Sequence, residues 1–371
     1  MRKQALTVPE THLWTGAKGD LDDVIGHLAK VRNLQQPKDV VTDLRSLRVT
    51  FDDGNGRPGP MLVSRGNGVV RVSTTAASQL AKMVLPAKFW SGFKQLAMLD
   101  PRLANQVWAT FAKHSSRKNK RRMLRFARRK VGNVPYTVLR AAVSTQYARI
   151  SDADLCEAVK GVAPEHELNV ARWDLWTGDF SIRFVAVDPM QKGMADLMGT
   201  TMCLPSVSMS NSEVGRRSVT FQGGVFRPAL QSGLPAWSNK ARFWRAHRGN
   251  AAAIMRDVKG VWSDLLAASA EVETAYNEAC SIDVDGAVLL RDWGKKQGLS
   301  QSVIEGAVKA LKSDLMVAPE GTLGRAVDAL SIQGVSLSLD QRDDIEESAS
   351  ELMRLGIKQH NSKAALAAGE K

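Results

Sequence analysis

The positive excess of this chain comes from two places. Residues 113–130 carry ten Lys or Arg and no acid, and residues 214–256 carry eight and no acid. The whole chain has 51 basic and 38 acidic residues, so everything outside the two stretches is net negative, 33 against 38. Residues 260–371 alone hold 18 acids against 11 bases. Crowded like charges repel, and a buried charge needs a partner. Any fold must therefore solvate these cations, bring carboxylates to them from elsewhere, or hold them ready for a polyanion.

Hydrophobic spacing sets the fold class. Residues 20–34 place Leu21, Val24, Ile25, Leu28 and Val31 at helical intervals. The strand-like run VVRV leads into a helix that Ser73 or Thr74 can cap. Residues 89–114 read as helix, punctuated at Asp100-Pro101. Ser151 caps a short helix with acids in its first turn. Two strands flank Thr177-Gly178-Asp179, and Phe180, Ile182, Phe184 and Ala186 share one face. SVSMS and RSVTF flank NSEVG at hairpin spacing. From Ala241 onward the pattern is helical. Ser302 and Glu305 match a capping box, and Ile345, Leu352, Met353 and Ile357 form the inner stripe of a final amphipathic helix. These signals predict an α+β fold: antiparallel sheet or hairpins with packed helices, then a helical C-terminal region. The chain has 371 residues, more than one core usually serves. The expected division is an N-terminal arm and first element (1–60), a mixed core (61–240), a helical acidic region (241–358) and a frayed tail (359–371).

Several function classes lack their residues. Cys156, Cys203 and Cys280 form no CxxC, so a reducing compartment is expected. The start has no apolar leader and no run is long enough for a membrane span, so the expected location is cytoplasmic with no membrane partner. The six histidines are scattered, and no phosphate-cradling GxxxxGK[ST] or GxSxG occurs. No catalytic residue, metal or cofactor is assigned. Cys156, His166 and Asp174 share residue types with a triad but not its spacing signature. The enzyme alternative is a metal-dependent nuclease with Asp174, Asp179, Asp188 and Glu213 around Mg²⁺.

The basic stretches carry the main functional signal. Read as a helix from Arg117, the first presents Lys120, Arg121, Arg125 and Arg128 along one stripe. Lys118, Arg122 and Arg129 adjoin it, and Lys113 and Lys130 bound the stretch. Such a stripe would neutralise phosphates and give affinity rather than sequence readout. The second adds Arg216, Arg217 and Arg227, then Lys240, Arg242, Phe243, Trp244, Arg245 and Arg248. Cations interleaved with aromatic rings suit single strands: charge for the backbone, rings for the bases.

Four blocks together resemble a known family. They are RVSTTAASQLAKMVLPAKFW, RAAVSTQYARISDADLCEAV, MCLPSVSMSNSEVGRRSVTFQGGVFRPALQSG and TLGRAVDALSIQGVSLSLDQRDDIEESASELM. The third is the most specific, through the turn Asn211, Ser212, Glu213 and Gly215. They resemble the domain-of-unknown-function family 932 of phages, prophages, plasmids and integrative elements, over roughly residues 60–355. Arg227 is followed here by Pro-Ala-Leu-Gln-Ser-Gly, where the family has Cys-x-Asn-Gly. The resemblance implies DNA metabolism of mobile elements. The resulting expectation is a DNA-binding protein that prefers single strands and promotes annealing in recombination or replication without nucleotide hydrolysis. It would self-associate and meet recombination or replication proteins. A host-interaction protein whose basic face binds an acidic partner is the other alternative.

Overall fold

The structure, a computed structural model, describes residues 12–53, 55, 57–65, 68–114, 121–131, 134–162, 167–176, 178–187, 203–249, 251–316 and 318–369. Its strands form two sheets, and the chain enters both before completing either. β1 (His12–Gly19) pairs with β8 (Glu167–Trp176), followed in order by β9 (Phe180–Val187), β10 (Leu204–Asn211), β11 (Val219–Arg227) and β12 (Ser232–Pro235). A seventh strand, β13 (Arg242–Arg245), also pairs with β11. The six-stranded sheet runs β2 (Lys38–Asp43), β6 (Arg121–Val131), β7 (Val134–Val143), β5 (Gly68–Val72), β4 (Pro58–Arg65), β3 (Arg48–Asp52). Every pairing is antiparallel except β5 with β7. The fold is α+β, with a helical C-terminal region.

Period-two burial drives the seven-stranded sheet. Phe180, Ile182 and Phe184 of β9, Val207 and Met209 of β10 and Phe221 of β11 point one way. They meet Leu28 of α1 (Leu21–Gln35), Leu155 and Val159 of α5 (Asp152–Lys160), Val258 of α6 (Ala251–Lys259) and Leu265 of α7 (Trp262–Ala279). α7 lies directly on β11 at Gly223. A Cβ there would sit 2.0 Å from the Leu265 carbonyl oxygen, so the close approach requires glycine. The six-stranded sheet buries Val49, Phe51, Met61, Val63, Leu124 and Leu139 against α2 (Thr74–Val84), α3 (Phe89–Leu99) and α4 (Pro101–His114). Ser73 caps α2, its hydroxyl accepting from the Ala76 amide at 3.1 Å, and Ser151 caps α5 in the same way.

The C-terminal helices are α8 (Gly286–Gln297), α9 (Gln301–Ala310), α10 (Leu323–Ser331) and α11 (Leu339–Gly369). With part of α7 and β12 they form a third core, and Ile345, Leu352 and Met353 are buried in it as their spacing predicts. Three expectations shift. Residues 242–245 are strand rather than the start of helix. Ser300, not Ser302, caps α9. The tail expected to fray remains in α11 through Gly369, with side chains exposed over 358–366. Among the described residues no helix is long and apolar enough to cross a membrane.

A buried ion pair locks the helical region to the sheet. Arg227 at the end of β11 meets Asp328 of α10, and both are fully buried. Arg227 also donates to the Ser232 hydroxyl at 3.0 Å. Asp328 further accepts from the Tyr276 hydroxyl at 2.9 Å and the Ala318 amide at 3.0 Å. Asp328→Ala should destabilise the protein by about 3–5 kcal/mol, because it strands a buried guanidinium. The double change Arg227→Met with Asp328→Leu should recover most of that loss, measured as the urea midpoint at unchanged slope.

Candidate nucleic-acid interface

The first basic stretch is a strand, not a helix. Lys113 ends α4 and is exposed, and 121–131 form β6. Arg117, Lys118 and Lys120 lie outside the described residues, as does the Lys130 side chain. Strand pairing overrode the helix-forming Leu, Arg and Ala content: Val131 opposes Val134, so β6 and β7 make a hairpin. The stripe of cations is therefore split between sheet faces. Arg121 and Arg128 are exposed, Arg122 turns to the Met83 sulfur at 3.3 Å, and Arg125 has no exposure at all. Arg125 grips both oxygens of Asp39 at 3.0 Å, donates to the Glu213 carbonyl, and lies 5.5 Å over the Tyr147 ring. It is a structural cation, which corrects its expected phosphate role.

Most of the second stretch is also paired. Arg216 bonds Asp179 at 2.8 Å and Asp340 at 2.9 Å. Arg217 bonds Asp343 at 2.7 Å and also Asp340. Arg242 meets Glu347 and Arg245 meets Asp257, each at 3.1 Å. Together with Arg227, these cations draw four of their acids, Asp328, Asp340, Asp343 and Glu347, from the acidic C-terminal third. Lys240 and Arg248 are exposed and make no ion pair among the described residues. The aromatic pair divides: Phe243 packs on Phe221 in the core, while Trp244 is 61% exposed.

The NSEVG turn joins the two sheets. The Asn211 side-chain amide donates to Asp152 at 2.6 Å and to the Ile150 carbonyl at 3.1 Å. The Ser212 hydroxyl donates to the Gly178 carbonyl at 3.1 Å. Glu213 faces Arg140 of β7 at 3.8 Å. Gly215 has φ +75°, and a Cβ there would press Val143 and Tyr147. Burial, with Glu213 nearby, pushes the Asp152 carboxyl well up. The expected nuclease carboxylates do not converge on an open site. Burial opposes ionisation of Asp174, but Arg342 and Arg172 hold it below the usual carboxylate range. Asp179 is paired with Arg216, and Asp188 lies outside the described residues. No metal-ligating group of three is present among the described residues.

Unpaired arginines gather on the six-stranded sheet, including two that the sequence reading missed. Directly opposed residues share a face. Arg48, Ser64 and Val69 form one row. Thr50, Leu62 and Arg71 form the next. Arg129 opposes Tyr136, and the Arg71 guanidinium lies 5.7 Å over the Tyr136 ring. This is the face away from α2–α4, because the alternating residues Val49, Val63 and Leu139 enter that core. Val69 is 62% exposed. Among the described residues no carboxylate pairs with Arg48, Arg71 or Arg129. The overlooked signal was Gly132-Asn133 between two strand-like runs, which marks a hairpin. Comparison with protein-family models, curated proteins and solved structures returns no match.

Two outcomes follow. Arg125→Ala should cost about 2–5 kcal/mol of stability by leaving a cavity and an unmet Glu213 carbonyl, read by urea unfolding. His247 stacks on Tyr147 with centroids 4.7 Å apart, and burial chiefly lowers its pKa to about 4. Arg125 lowers it too, while the Ala148 backbone and Glu213 act in the opposite direction. An unfolded histidine titrates near 6.5, so between about pH 6.5 and 4 the unfolded state takes the proton the folded state refuses. This contribution is complete above that window and should fall by up to about 3 kcal/mol as pH drops through it. The stability difference between wild type and His247→Phe, measured at pH 7 and pH 4.5, isolates it.

Proposed function

We propose that this protein binds single-stranded nucleic acid, DNA foremost, on the face of the six-stranded sheet away from α2–α4. The observation that carries the reading is Arg71 and Arg129 beside Tyr136, with Arg48 farther along the same face, none with a carboxylate partner among the described residues. Among the described residues these three meet no carboxylate, which leaves their charge for phosphates. Arginines beside an aromatic ring suit unstacked bases, each stack being worth about 1–3 kcal/mol. None of this uses nucleotide hydrolysis. The resemblance to family 932 favours DNA of mobile elements as the setting. Trp244 and Lys240 offer a second, smaller contact region on the other sheet.

Fluorescence anisotropy with a mixed-sequence oligonucleotide tests the assignment. Arg71→Glu with Arg129→Glu should weaken binding at least about tenfold and flatten the log-affinity against log-salt slope by about 1.4, the effect of two lost single-strand phosphate contacts. Tyr136→Ala should weaken it by about tenfold through lost stacking. Arg242→Ala, which removes a cation already paired, should stay within about twofold. Wild-type affinity in the Arg71/Arg129 variant would remove the sheet face as the binding site.

A further inference from the structure

The turn holding Gly215, Arg216, Arg217 and Ser218 faces residues 144–147 and 246–248 across an open pocket. His247 lines that pocket while being only 4% exposed, and neither of its ring nitrogens makes a hydrogen bond. Buried polar groups in native proteins are satisfied by protein, water or a bound ion. An imidazole with both nitrogens unmet therefore asks for a partner that enters the pocket. The remaining lining shows what kind. Arg216, Arg217 and Arg248 contribute guanidinium groups, Ser144 and Ser218 hydroxyls, and Gln146 an amide, with no carboxylate among the lining residues. Asp179, Asp340 and Asp343 hold Arg216 and Arg217 in fixed orientations through their terminal nitrogens. Arg216 still keeps 35% of its side chain exposed, and Arg248 is exposed with no ion pair. Donors outnumber acceptors, and a tetrahedral oxyanion matches such a set.

The geometry points to a phosphate-binding pocket here, in which Arg248 and Arg216 take the charge and an N–H of His247 takes one oxygen. The stack on Tyr147 holds the imidazole plane, and both ring nitrogens are shielded from solvent, so the pocket wall must shift for a phosphate oxygen to reach one. Tyr147 is itself fixed, its hydroxyl donating to the Ser212 carbonyl at 2.6 Å. The pocket stands apart from the sheet-face reading, because neither Tyr136 nor Arg71 lines it. Its phosphate is either free or the terminal group of a strand.

The test is a titration of the full chain, labelled with ¹⁵N-histidine, with inorganic phosphate against chloride at equal ionic strength. His247→Phe, which keeps the stack and removes both nitrogens, identifies the resonances. Saturable shifts of the His247 nitrogens with phosphate and not with chloride are expected. Arg248→Ala, an exposed change that should not disturb folding, is expected to weaken phosphate binding at least about fivefold. An oligonucleotide with a 5′-phosphate competing about tenfold better than its 5′-hydroxyl twin would assign the terminal group of a strand. Equal competition would assign free phosphate. Static His247 nitrogens, identical shifts with chloride, or unchanged affinity in Arg248→Ala would each overturn the pocket.

Discussion

Carboxylates of the last two helices hold this fold together by reaching back to arginines on the seven-stranded sheet. Asp328 meets Arg227, Glu346 meets Arg183, and in the reverse sense Arg342 meets Asp174 of β8. All three contacts sit between the sheet and α10–α11. A buried pair contributes little net stability against an apolar substitute, but losing one member leaves a charge in low dielectric. The pairs therefore dictate where the helices dock more than how tightly. Glu346 illustrates this: it takes both Arg183 nitrogens and the Gly233 amide, so α11 has one register on β12. The charge imbalance between the middle of the chain and its end is, in large part, an intramolecular match.

The two sheets need a separate joint, and the NSEVG turn supplies it. Its backbone carbonyls accept from Arg125 and Tyr147, its side chains reach Gly178 and Asp152, and Glu213 faces Arg140. Val214 of the same turn adds an apolar contact, packing with Ala141 and Val143 of β7. These contacts explain why so polar a turn is so deeply placed. They also explain why its carboxylate is no metal ligand candidate: Glu213 is opposed by a cation from the neighbouring sheet.

Local periodicity was enough to find most elements. Ser73 and Ser151 capped the helices their positions predicted, and Asp100-Pro101 ended α3. The hairpins around 177–179 and around NSEVG form as spaced, because alternation and turn chemistry act within a few residues. The basic stretch at 121–130 did not yield, because Arg, Leu and Ala favour a helix while the partner strand β7 decides otherwise. Strand formation there depends on contact with 134–143, and single-residue propensity does not encode it. The candidate site was hidden for a related reason. Arg71, Arg129 and Tyr136 are distant or unremarkable in sequence and meet only through the register of β5, β6 and β7.

Counting charge along a sequence thus finds cations without saying which are available. Arg125 and Arg227 sit within the two densest basic stretches, yet both are buried and bound to carboxylates. Arg71 stands with no other cation within five residues on either side, yet it has no acid beside it and an aromatic ring beneath it. Availability follows from how many carboxylates the fold delivers to each cation. The acidic helices pack on the seven-stranded sheet, so that is where neutralisation is most complete. The six-stranded sheet receives no helix from the acidic third, and Arg48, Arg71 and Arg129 meet no carboxylate among the described residues.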